Sequence, residues 1–496
     1  MNVPSNTGSV KLTLTADRVD HYTRHVKSVL FLLALASVLP CVPAAGQALQ
    51  SRTDPEQLAL ARNAVLAGKL PPYDTWPQPA APLPNSDSSA TTGSSDVDVT
   101  LGGAARVNGQ DFWDQYLFRR PDENSLVNWT VHAEDKGQWG LTMHADYYDT
   151  TAGWHDTTLI LPNSTSAFPM ESHFMTQSYL WYDFHPLQIE IGRDQVHWGP
   201  MDNSLLVSDA VPFLDMFRMT ISGGQWTLDS IVSTPETRTD GGGTDLQFVE
   251  LMSLHRLEYT SDTWRWSFSE KYIVHRQAGF VLGDIFPVGV FHNDDMNPNN
   301  NCLNFDAEWV PAPGFRVMGQ LGFDDVDGRI FGIPDNPVPT IWAFMLGTEW
   351  QGTWDENPLR LYGEVGMTHY LWGSFDDPEA RALYLIVLDG RTESMPLSAP
   401  YGPGTAWINL SARWSKGPVS VAGKLEVFDT QDGVTPDIPY VYNWSLEGFG
   451  SSPNERFTVE VRWQWTPEVA LTVSPVQLYH DGVLGFEAHL GLDWKP

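Results

Sequence analysis

The chain has 496 residues and carries 61 Asp+Glu against 29 Lys+Arg, a formal charge of -32. A surface of that sign repels phosphate backbones and excludes nucleic acid as a partner, and it disfavours an anionic bilayer surface unless divalent cations bridge the charges. With 41 Gly, 36 Pro, 21 Trp and 12% aromatic residues, the composition favours many short strands and tight turns over long helices.

Residues 28–39 read SVLFLLALASVL, an apolar run preceded by Arg24, His25 and Lys27. Pro40 breaks the run, and small residues follow at Ala44, Ala45 and Gly46. Positive flank, short apolar core and small-residue exit predict a secretory signal peptide over residues 1–46. The run is too short to span a bilayer as a helix, which takes ~20 apolar residues. Cleavage near 44–46 removes Cys41 and leaves Cys302 alone, with no internal disulfide. Pro40 directly before Cys41 argues against a lipoprotein, and neither cysteine belongs to a CxxC, which excludes a zinc ribbon or a redox pair. No second stretch approaches ~18 apolar residues, so the mature chain is either soluble or crosses a membrane with strands.

Residues 47–70 hold a short predicted helix. Asp54 caps it, Pro55 suits its first turn, and Leu58, Ala61, Val65 and Leu66 fall near one face. Residues 71–96 read as a Pro/Ser-rich linker, with Pro71, Pro72, Pro77, Pro79, Pro82 and Pro84 followed by Ser, Thr, Gly and Asn.

From about Val97 to the end the period becomes two. In residues 457–466, Phe457, Val459, Val461, Trp463 and Trp465 alternate with Thr458, Glu460, Arg462, Gln464 and Thr466. The same pattern places Leu303, Phe305, Ala307 and Trp309 opposite Asn304, Asp306 and Glu308, and Leu361, Gly363 and Val365 opposite Tyr362 and Glu364. Such strands have one oily and one wet face. A soluble sandwich and a transmembrane barrel both fit. Strands of about 9–11 residues, aromatics at strand ends (Trp309, Trp350, Trp414, Trp463, Trp465, Trp494) and alternating tight and long connections favour the barrel. So do charges on consecutive wet faces, which a dry core does not satisfy. The predicted fold is therefore all-β, a transmembrane antiparallel β-barrel over residues 97–496. At about 22 residues per strand with its loop, it has roughly 18 strands.

Residues 196–219 break the alternation. Trp198-Gly199-Pro200 marks a turn, Asp202 or Asn203 caps a short predicted helix through Val207, and Pro212 stops it. An apolar insert of this kind reads as a partial plug in the lumen or at a rim.

At this stretch the chain resembles the Wzi-type capsule-assembly proteins of Gram-negative outer membranes. The resemblance rests on Ile191-Gly192-Arg193, Trp198-Gly199-Pro200, residues 204–208 (SLLVS) and Pro212. It continues in residues 254–259, in residues 306–314 ending Pro-Ala-Pro-Gly, and at Phe323-Asp324-Asp325, and covers roughly residues 125–496. It implies an 18-stranded barrel with a helical insert at the periplasmic end, and a surface lectin role in holding or nucleating capsular polysaccharide.

Sugar recognition uses aromatic faces beside carboxylates, amides and Arg forks. The expected outer loops supply Trp372, Asp376, Asp377, Tyr401, Tyr440, Tyr442 and Trp444. Arg193, Asp194, His197 and Trp198 flank or begin the insert and are candidates for a latch to the barrel wall; a lumen-facing Arg193 equally suits a passing sugar acid. His292, Asp294, Asp295, Asn297, Asn299 and Asn304 form one oxygen-rich group, and Asp324, Asp325 and Asp327 with Gly328 another. Neither has calcium-loop spacing, so ordinary Asx turns are the reading and no metal or cofactor is expected. No GxSxG or HExxH stands near a suitable turn, so the chain reads as a non-enzyme. The leading expectation is a monomeric outer-membrane barrel that binds capsular or exopolysaccharide. The alternatives are a diffusion porin for sugars or small solutes and a rim hydrolase.

Overall fold

The computed structural model describes residues 55–71, 75–76, 94–107, 125–135, 138–148, 175–208, 211, 213–234, 249–276, 299–326, 340–374, 382–388, 391–434, 453–480 and 483–494. The expected signal segment and most of the linker lie outside them. The elements begin with one helix, α1 (Pro55–Leu66), and a two-residue strand, β1 (Thr75–Trp76). The barrel strands then run β2 (Ser94–Val107), β3 (Ser125–Asp135), β4 (Trp139–Tyr148), β5 (Met175–Asp183) and β6 (Leu187–Asp194). After β7 (His197–Trp198), which is not a strand of the barrel sheet, come β8 (Leu214–Gly223), β9 (Trp226–Ser233), β10 (Val249–Thr260), β11 (Trp264–Arg276) and β12 (Asn299–Ala312). The chain continues through β13 (Phe315–Phe323), β14 (Trp342–Trp354), β15 (Asn357–Thr368) and the small hairpin β16 (Leu383–Leu388) and β17 (Arg391–Pro396). It ends with β18 (Thr405–Lys416), β19 (Val419–Thr430), β20 (Asn454–Thr466), β21 (Val469–His480) and β22 (Val483–Trp494).

Eighteen of these strands close one antiparallel barrel, sealed where β2 pairs with β22 through Val99↔Trp494. The first barrel strand starts at Ser94, slightly before the expected boundary at 97. The period-two pattern sorts residues as a membrane barrel requires. Phe305 and Leu346 are 48% and 59% exposed, while Asp306 and Glu364 are 4% and 1% exposed. A water-soluble sandwich needs the reverse, with its oily face hidden. The oily face is therefore turned outward wherever side-chain exposure is described, which is the arrangement of a transmembrane β-barrel.

The two ends differ. Tight connections at residues 224–225, 313–314, 355–356, 417–418 and 467–468 define one end. Asp355 and Glu356 both take positive φ (52° and 61°), the twist a two-residue hairpin needs. Gly314 at φ 80° admits no side chain, since a Cβ there meets the Gln351 carbonyl oxygen at 2.5 Å. Exposed Trp139, Tyr182, Trp226, Trp264, Trp309, Trp350, Trp354, Trp463 and Trp465 ring this same end. Several stack on one another, as Trp264 on Trp309 at 5.0 Å between centroids. They form the aromatic belt that marks a bilayer interface. Long connections occupy the opposite end, except for the two-residue link at 481–482.

Helix α1 docks on the short-turn end. The Gly314 N–H donates to the Val65 carbonyl (2.7 Å), the Leu70 N–H donates to the Asp262 carbonyl (2.9 Å), and Val65 is fully buried. The chain then enters the barrel, where Arg265 donates to the Pro71 carbonyl (2.7 Å) and β1 pairs antiparallel with β7.

The insert between β6 and β8 departs from expectation in three respects. It contains no helix among its described residues, it hangs from the long-connection end rather than the short-turn end, and residues 214–219 of the expected insert belong to β8. The reason lies in its N–H groups. Those of Asp202, Asn203 and Leu205 donate to Tyr362, Glu364 and Gln320 on the barrel wall. A helix capped at Asp202 or Asn203 and ending at Val207 closes hardly any i−4 bonds of its own, because its first four N–H groups have no partner within it. Wall contacts outbid local propensity.

Candidate functional site

The lumen is built in two storeys. In the upper one the insert buries Val196, Trp198, Met201, Leu205, Leu206 and Val207 against Met252, Leu254, Ile273, Met318 and Met345 of the wall. Its backbone is satisfied by inward-pointing side chains of distant strands. The Leu205 N–H donates to Gln320 Oε1 (2.8 Å), the Asp202 N–H to the Tyr362 hydroxyl (2.8 Å), and Lys271 Nζ donates to the Leu206 carbonyl (3.1 Å). The Asn203 side-chain amide donates to Glu364, which also accepts from Tyr362 and from Asn409. Gly199 faces the Gln320 amide at φ 127°, a backbone conformation that residues with a side chain rarely adopt. Each of these partners stands on the wet face of its strand, as the alternation requires.

In the lower storey, charges alternate from strand to strand. Arg256 forks onto Asp306 (2.6 and 3.0 Å), and Arg265 and Arg316 share Glu308 (2.8 Å each). Arg316 and Arg360 share Glu349 (3.1 and 2.7 Å). Arg218 forks onto Asp229 at 2.8 Å. Buried charges persist only when paired in this way. The network and α1 together fill the short-turn half beside β10 to β15.

The predicted latch residues divide. Arg193 points outward, where it forks onto Asp215 (2.7 Å) and lies over the Phe213 ring (3.9 Å). It ties together the two stems of the insert rather than reaching into the lumen. Asp194 accepts from Gln177 and from the Gln195 N–H. His197 Nε2 donates to the Met201 carbonyl (2.9 Å), and the Trp198 carbonyl accepts from Ser204 (2.5 Å) and Gln320 (3.4 Å). His197 thus folds the insert on itself and Trp198 joins it to the wall. Sequence reading missed Lys271, Gln320, Tyr362 and Glu364. Their only signal was a polar residue at an inward parity, shared with dozens of others.

Of the predicted sugar-contacting residues, Trp372 and Tyr401 are buried. Trp372 packs over Gly322, and Tyr401 stacks on Phe428 (4.7 Å) and donates to Asn409 (3.2 Å). Asp376, Asp377, Tyr440, Tyr442 and Trp444 lie outside the described residues, as do His292, Asp294, Asp295, Asn297, Asp327 and Gly328. Asn304 is buried beside Asp306. Asp324, after β13, accepts from the Gly373 N–H (2.7 Å) and from the buried Cys302 thiol (3.1 Å). Burial, then the neighbouring Asp325 carboxylate, raise its pKa to about 7. In the same rim segment burial lowers His369 to about 4. No group of three or more His, Cys, Asp or Glu is arranged to hold a metal among the described residues.

The fold defines an 18-stranded transmembrane barrel whose lumen holds the insert bonded to its wall. No protein-family profile matches the sequence, and no curated protein matches it significantly. Among solved structures, the chain is similar to Wzi of Escherichia coli, described as an outer membrane protein involved in group 1 capsule assembly and a carbohydrate-binding β-barrel. The TM-score is 0.61 at 13% identity, covering 90% of this chain and 99% of that one. The fold is thus shared with the protein whose family the sequence resembles. OccAB2 of Acinetobacter baumannii aligns more weakly, with a TM-score of 0.45 at 10% identity over 82% of this chain and 98% of that one.

Proposed function

We propose that this chain is a non-enzymatic outer-membrane barrel that binds surface polysaccharide and helps to assemble or anchor a capsule or exopolysaccharide layer. The observation that carries this reading is an insert inside the lumen, hydrogen-bonded to β11, β13 and β15 from one end, with α1 docked on the other. A barrel built for bulk diffusion leaves its centre to water. The likeness in fold to a carbohydrate-binding capsule-assembly barrel supports the same reading. Under it, residues 1–46 direct export, the short turns face the periplasm and the long connections face the cell exterior. The protein works as a monomer with outer-membrane lipid around it.

Two measurements test this reading. Reconstituted in planar bilayers, the protein is expected to show negligible single-channel conductance, and on a glycan array the refolded protein is expected to retain polysaccharides. Steady conductance in the intact protein, with no glycan retained, transfers the assignment to a diffusion porin. Turnover of a retained glycan that vanishes on changing one His or Asp transfers it to a rim hydrolase.

A further inference from the structure

Among the described residues, the filling of the lumen is one-sided. On the wall that continues from the Arg256–Glu349 network through Arg360, register places four strands in rows. Arg360 pairs with Arg413, Arg413 with Ala422, and Ala422 with Glu460. One row deeper lie Tyr362, Ser411, Lys424 and Thr458, and deeper again Asn409, Glu426 and Arg456. Arg462 and Ser420 form the row nearest the short-turn rim. All have inward parity, since their neighbours Leu361, Leu410, Val461 and Trp463 are exposed on the outer face.

Exposure along these rows describes a cleft. Arg413 and Glu460 side chains are 46% and 37% exposed, and Arg360 and Lys424 27% and 24%. Arg456 and Glu426 above them fall to 8% and 9%. The cleft therefore opens at the short-turn end beside α1 and closes at mid-barrel. Its charge is anomalous. The chain carries 29 bases to 61 acids, yet this wall gathers five bases with Glu426, Glu460, the insert-bound Glu364 and, on the adjoining strand, Glu349; Lys424 (2.6 Å) and Arg456 (3.8 Å) share Glu426. Arg360 and Arg413 face each other directly, an arrangement that repels. Arg360 leans on Glu349, whereas Arg413 reaches Glu460 only at 3.9 Å. A carboxylate set between the two guanidiniums relieves that repulsion with charge-assisted hydrogen bonds. Ser411, Ser420 and Thr458 offer hydroxyl partners around it.

We propose that this wall is a binding site for a carboxylate-bearing sugar, entered from the short-turn end. The site lies at the opposite end from the outer-face capture proposed above and does not depend on it. Trigalacturonate, with maltotriose as the neutral counterpart, is titrated into the refolded full chain in detergent by calorimetry. Trigalacturonate is expected to bind and maltotriose not. The double variant Arg413→Gln/Lys424→Gln is expected to weaken binding about tenfold or more, a factor of ten corresponding to ~1.4 kcal/mol. Glu460→Gln, which removes an acid from the cleft, is expected to tighten it, a gain that misfolding does not produce. No binding to the wild type, equal binding of maltotriose, or an unchanged Kd in both variants overturns the site. The glycan-array result on polysaccharide stands or falls separately.

Discussion

Asp324 illustrates how a single buried group reports on its surroundings. Its carboxyl caps the Gly373 N–H and meets the Cys302 thiol, with Lys271 and Asp325 near by. Folded, it titrates at about 7 against an ordinary 3.8. Between those values the folded chain holds a proton that the unfolded chain lacks, so stability falls as pH rises from about 4 to 7 and then levels. Asp324→Asn keeps an acceptor for Gly373 and removes the titration. The variant is expected to gain on the wild type between pH 5 and pH 8, by at most about 3 kcal/mol, since some two pH units of that window lie below the folded pKa at ~1.4 kcal/mol each. Guanidinium unfolding of the refolded barrel followed by tryptophan fluorescence measures it. Equal differences at the two pH values refute the assignment.

At the scale of elements, helix and insert form a single internal assembly with the wall. Helix α1 is anchored by Val65 and by backbone bonds to the turns at Gly314 and Asp262, and the chain then reaches the insert through β1 and β7. Val65→Asp places a charge in a fully buried site. It is expected to cost about 3–5 kcal/mol of docking, the range for an uncompensated buried charge. The predicted consequence is faster tryptic cleavage at Arg62 and Lys69 while barrel strands stay protected. Unchanged cleavage would mean that the rim does not hold the helix. The helix itself was legible in the sequence, because Asp54-Pro55 and the spacing of Leu58, Ala61, Val65 and Leu66 are local signals. Its docking partner was not, since Gly314 lies some 250 residues away.

For the whole molecule, the outward oily surface sets where the bilayer sits. Leu346 lies mid-strand, is 59% exposed and lies clear of the aromatic ring, whereas Trp309 sits within it. Arg at a bilayer midplane costs ~2–4 kcal/mol and near the interface ~0–1 kcal/mol. Leu346→Arg is therefore expected to destabilise the lipid-embedded barrel several-fold more than Trp309→Arg, read by urea unfolding in vesicles. Equal penalties would remove lipid as the cover of this face.

The alternation of oily and wet residues determined the strands from sequence alone, and strand length, end aromatics and connection lengths then favoured the barrel. Alternation is a strictly local consequence of side chains projecting to opposite sides of an extended chain. Chain length divided by strand length then yielded the strand number. What the insert became was decided only in three dimensions. Its N–H donors found Gln320, Tyr362 and Glu364 across the lumen, and a segment too short to close many helical bonds of its own was held extended by the wall. The basic cleft was equally hidden, because Arg360, Arg413, Lys424 and Arg456 come together only through the register of four strands. Parity along one strand is written in adjacent residues, whereas which polar groups meet across a closed sheet depends on every turn between them.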